Sequence, residues 1–64
     1  MCEANVYLST EENGEELLLE NVNIVVPKED GELLLENIFG ERKLLKARIK
    51  EMELVNHRIV IVRK

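Results

Sequence analysis

Residues 41–53 read Glu41-Arg42-Lys43-Leu44-Leu45-Lys46-Ala47-Arg48-Ile49-Lys50-Glu51-Met52-Glu53, and whether this stretch coils or extends decides the fold. Its residues have high helix propensity, and Leu45, Ile49 and Met52 recur at the spacing of one helical face. Against the helix stands an alternation. Leu45, Ala47 and Ile49 fall on one side and Lys46, Arg48 and Lys50 on the other, after Phe39-Gly40-Glu41 as a turn. The alternation predicts a strand to about Lys50, then a short turn or a single helical turn near Glu51 to Leu54.

Extended structure in that stretch agrees with its neighbours on both sides. Arg58-Ile59-Val60-Ile61-Val62-Arg63 is the clearest strand, rich in β-branched residues that suit a pleated surface. At the other end, Ala4, Val6 and Leu8 alternate with Asn5, Tyr7 and Ser9, the period of a half-buried strand. Thr10-Glu11-Glu12-Asn13-Gly14 ends it. Asn-Gly is a hairpin signal because both residues tolerate positive φ, so Leu17 to Glu20 should return antiparallel to the first strand. The segment from Gly14 to Val22 then has an echo from Gly31 to Ile38, one glutamate shorter, each copy reading as turn, strand and bend. Two copies are too few for a solenoid and suggest two similar hairpin arms in one sheet. Between them Val22, Ile24 and Val26 alternate with Asn21, Asn23 and Val25, and Pro27 to Gly31 forms a further turn. Five or six short strands, with turn signals about every eight to twelve residues, imply an all-β chain closing into a small barrel.

A chain of 64 residues buries only about 60% of its unfolded surface, so its core needs reinforcement. One cysteine cannot form an internal disulfide, and no Cys-His spacing matches a structural zinc site. A homodimer is the expected remedy. The apolar runs are far short of the roughly 20 residues that span a bilayer, and no leader precedes them, so a cytoplasmic chain without a membrane partner is expected. Net charge is −4, yet residues 1–41 carry eleven acidic and one basic side chain and residues 42–64 two acidic and eight basic ones. The halves should neutralise each other across neighbouring strands.

Little here suggests catalysis. His57 has no evident partner acid, no glycine-rich phosphate loop exists, and the carboxylates cluster at turns, so the chain reads as a non-enzyme. The basic stripe Arg42, Lys43, Lys46, Arg48 and Lys50 raises the alternative of a small RNA-binding module. Only Tyr7 and Phe39 are available for stacking, and the overall negative charge disfavours a nucleic-acid partner.

The chemistry that remains is Cys2, directly after Met1. Read blandly, it is a small residue that packs. Read chemically, removal of Met1 would put an amine and a thiol on one residue, spaced for a five-membered chelate, and the thiolate is the metal-binding form. One thiolate cannot make a tight site, whereas two copies meeting at a dimer axis supply two sulfurs and two nitrogens from amine or deprotonated amide. Four donors in a plane suit a d⁸ ion, favouring Ni(II), one per dimer, with copper as competitor. His57 would join as a second ligand only if the last strand began near Cys2; otherwise it is a turn histidine.

Three segments carry a resemblance: Met1-Cys2-Glu3-Ala4-Asn5-Val6-Tyr7-Leu8, Asn37-Ile38-Phe39-Gly40-Glu41, and Ala47-Arg48-Ile49-Lys50-Glu51-Met52-Glu53-Leu54-Val55-Asn56-His57-Arg58-Ile59-Val60. Together they resemble the CooT family over almost the whole chain. The resemblance implies a single SH3-like β-barrel domain over residues 1–64, with five to seven short strands, forming homodimers. It implies nickel binding through Cys2 of each chain, in a metallochaperone serving carbon monoxide dehydrogenase or another nickel enzyme, although many relatives carry the label of RNA-binding proteins. It supports a strand over Leu44 to Lys50 and implies no ligand besides Cys2.

Overall fold

The computed structural model describes residues 3–64, and its elements are β1 (Ala4–Thr10), β2 (Gly14–Pro27), β3 (Glu32–Asn37), β4 (Arg42–Glu53) and β5 (Arg58–Arg63). They form one closed barrel in sequence order. All neighbours are antiparallel except β1 and β5, which close the ring in parallel from Asn5 beside Arg58 to Ser9 beside Val62. The chain is therefore all-β, with no helix among the described residues.

The alternation in β1 acts as expected. Ala4, Val6 and Leu8 are buried, and Val6 is fully so. The hairpin that follows differs in detail from a two-residue Asn-Gly turn: Thr10 pairs with Gly14 across the three residues Glu11 to Asn13. Gly14 alone takes positive φ, at 68°, while the Asn13 N–H donates to Thr10 Oγ1 at 3.0 Å. Three loop residues followed by a left-handed glycine at the first strand position let the return strand keep the right-handed twist of the pair.

What reads as two short strands, Leu17 to Glu20 and Val22 to Val26, is one strand. β2 pairs with β1 along Gly14 to Val22 and with β3 along Val22 to Pro27. Register shifts on both sides of Leu19, and a third between Val22 and Ile24, each insert a residue and bend it. Asn21 lies at one of these bends with φ 57°, and its N–H donates to Asn5 Oδ1 at 3.1 Å. Asparagine is among the few residues other than glycine that enter this region readily.

β4 corrects a second expectation. It stays extended through Glu53, and the turn comes at residues 54–57 rather than near Glu51 to Leu54. Its first part pairs with β3 as far as Lys46, its second with β5 from Ala47. Leu45, Ala47 and Ile49 turn inward, and then a bulge at Lys50 resets the phase so that Met52 faces Ile59 and Glu53 faces Arg58. The helical spacing of Leu45, Ile49 and Met52 arises from this extra residue, which shifts the alternation by one.

The core comprises Ala4, Val6, Leu8, Leu19, Val22, Leu33, Leu35, Ala47, Ile59 and Ile61. Val60, on the alternate face of β5, is buried too, so β5 is covered on both sides and reads as an unbroken apolar run. The charge halves meet as expected: Arg42 pairs with Glu36 at 3.0 Å, Arg58 pairs with Glu15, and Lys46 stands opposite Glu32.

Candidate functional site

Parallel pairing of β1 with β5 has a consequence that antiparallel pairing would not: both strands begin at the same end of the barrel. The turn ahead of β5 is thereby brought against the residues that lead into β1. The Asn5 N–H donates to the His57 carbonyl at 2.8 Å, and His57 Nδ1 lies 3.0 Å from the carbonyl oxygen of Glu3. A carbonyl can only accept, so Nδ1 is the donor in this contact. The last strand begins beside the start of β1, with Asn5 next to Arg58 and His57 against Glu3. Cys2 itself, with Met1, lies outside the described residues.

His57 closes its turn by donating its N–H to the Leu54 carbonyl at 3.2 Å, and it does so with φ 55°, a left-handed conformation. Beside it lies a cleft of about 240 Å³ lined by Glu3, Ala4, Val22, Asn23, Val25, Leu54, His57 and Ile59. One Glu3 carboxylate oxygen, Oε2, is buried with no hydrogen-bond partner among the described residues. Among the described residues no three His, Cys, Asp or Glu side chains cluster as a metal cage. Around the same end Met52, Leu54 and Val55 project apolar side chains, Val55 being 92% exposed.

The basic stripe divides in the folded chain. Arg42 is held by Glu36, Lys46 faces Glu32, and Leu44, 56% exposed, interrupts the row between them. Arg58 is drawn to Glu15 and Glu53, and its guanidinium lies 4.5 Å from the centroid of the Tyr7 ring. That occupies one of the two aromatic side chains proposed for base stacking; Phe39, 72% exposed, is the other. No helix among the described residues is long and apolar enough to cross a membrane.

Two residues at structural junctions carried no local signal. Glu3 is fastened by a histidine 54 positions away, a contact that only barrel closure creates. Asn37, 3% exposed, knots the turn between β3 and β4: its Oδ1 accepts from the Phe39 and Glu41 N–H groups at 3.1 and 2.9 Å, and its Nδ2 donates to Glu41 Oε1 at 2.7 Å. The internal echo held a trace of this, since Asn21 and Asn37 occupy the same place in the two copies and both mark bends.

The family model described as CO dehydrogenase accessory protein CooT matches residues 1–62. Among solved structures, the crystal structure of a protein assigned as CooT from Carboxydothermus hydrogenoformans superposes with a TM-score of 0.88. The two sequences are 52% identical, and the match covers 98% of each chain. No curated protein matches the chain.

Proposed function

The chain belongs to the CooT family, and from that membership we propose that it is a nickel carrier of the CO dehydrogenase maturation apparatus. In this reading the barrel is SH3-like and pairs as a homodimer, and Cys2 of each chain contributes a thiolate to one Ni(II) per dimer. Nitrogen from the amine or a deprotonated amide completes a square-planar set. The observation that carries the proposal is the family match over residues 1–62, a span that includes the chain's single cysteine, Cys2.

Such a site suits transfer. Two thiolates and two nitrogens shared between chains can be replaced one at a time by thiolates or imidazoles of an acceptor, whereas a closed cage would hold the ion. The protein acts as an accessory rather than as a catalyst, working in the cytoplasm, with carbon monoxide dehydrogenase as the client.

The test is nickel titration of the wild type and Cys2→Ser, with intact mass under native conditions. The expected result is a dimer carrying one nickel for the wild type, and no tight binding by a folded Cys2→Ser. Full affinity in Cys2→Ser overturns the proposal.

A further inference from the structure

We propose that the end of the barrel opposite His57 carries a binding site for a single phosphate monoester group, built from Lys50, Arg63 and Ser9. The site is separate from the nickel function proposed above and does not depend on it.

Parallel pairing makes β1 and β5 finish together, just as it makes them begin together: Ser9 stands beside Val62, and Arg63 is the last residue of β5. Beyond that point β1 turns away through Glu11 to Asn13 while β5 stops. The cleft that opens there has a volume of about 580 Å³ and is lined by Ser9, Thr10, Glu11, Lys50, Val62 and Arg63. Lys50 reaches it from a third strand. It is the extra residue of the β4 bulge, since Ile49 pairs with Ile61 and Glu51 with Val60, and a bulge re-aims the side chain it inserts.

Neither cation of the cleft has a countercharge. The ion pairs among the described residues take up Arg42 and Arg58, whereas Lys50 and Arg63 are exposed and take part in none. Arg63 stands opposite Ala47, which offers no charge. The Thr10 hydroxyl serves its own turn, accepting from the Asn13 N–H at 3.0 Å and donating to the Gly14 carbonyl at 3.4 Å. Ser9, half-buried between the two strands, is the hydroxyl left for a ligand.

A guanidinium fork, an ammonium and a hydroxyl together match the oxygens of a doubly charged phosphate, the fork taking two oxygens and the ammonium acting as a point charge. The rest of the lining limits what that phosphate belongs to. Glu11 lies on the same cleft and repels a second anionic group, and a chain of net charge −4 exerts no long-range pull on a polyanion. One isolated phosphate on a neutral body fits where an RNA strand does not.

The test is titration of the ¹⁵N-labelled full chain with glycerol 2-phosphate, inorganic phosphate and a single-stranded RNA decamer, each against sodium chloride at equal ionic strength, following the amide signals. Expected are saturable one-to-one shifts at Ser9, Lys50 and Arg63 with glycerol 2-phosphate. Its affinity should fall about tenfold in Lys50→Gln and in Arg63→Gln, each of which removes one charge-assisted bond. Both side chains are exposed, so the variants keep the wild-type spectrum elsewhere. Shifts no larger than those with chloride, or wild-type affinity in both variants, overturn the site. Binding of inorganic phosphate without glycerol 2-phosphate overturns the assignment to an ester. Tighter binding of the RNA, with shifts running along β4 to Arg42, overturns the single-phosphate site in favour of a nucleic-acid surface.

Discussion

Replacing Asn37 by alanine should destabilise the barrel out of proportion to the size of the side chain. The amide makes three bonds from a position that is 3% exposed, two to backbone N–H groups and one to the Glu41 carboxylate. A neutral bond contributes about 1 kcal/mol net and a bond to a charged group about 2. Some of this is recovered, because Phe39 is exposed and its N–H can turn to water, leaving a loss of about 3 kcal/mol. For a domain of this length total stability is about 3–10 kcal/mol, so the substitution removes a large share. With a urea slope of about 1 kcal/mol/M, the unfolding midpoint followed by circular dichroism falls by about 3 M. Glu41→Gln keeps an oxygen acceptor and loses only the charge, so it should cost about 1 kcal/mol. Protein concentration must be held fixed, since dimerisation would add to the apparent stability. If Asn37→Ala loses less than about 1 kcal/mol at unchanged slope, the knot does not hold the β3–β4 turn and the reasoning fails.

Leu35 is fully buried in the core, and Leu35→Ala should cost about 2–5 kcal/mol in the same urea experiment, the usual sum of lost transfer energy and a residual cavity. A much smaller loss would mean that the barrel collapses around the gap. At Gly31, with φ 85°, an added Cβ would meet Lys64 Nζ at 3.0 Å, the movable tip of a long side chain. Gly31→Ala should therefore show only the conformational penalty of about 1–2 kcal/mol, matching Gly14→Ala, where nothing lies within 4 Å. Unequal midpoints for the two would show that Lys64 does not yield.

The sequence by itself determined that the chain is all-β and, for β1 and the first part of β4, which side turns inward. Those properties depend on period-two patterning and on turn residues only a few positions apart, as in Val6 and Leu8 or Thr10 to Gly14. Cys2 as the one thiol was equally legible, because it needed only to be counted. Tertiary structure decided whatever depends on register. The bulge at Lys50 shifts the alternation and had mimicked a helix, and the bends around Leu19 and Asn21 join two apparent strands into one. A single inserted residue exchanges the faces of a strand, and only pairing with a neighbour reveals the insertion. The closing β1–β5 contact lies further still from local patterning. It joins β1 and β5 in parallel, and that pairing alone puts His57 against Glu3, 54 positions away in sequence.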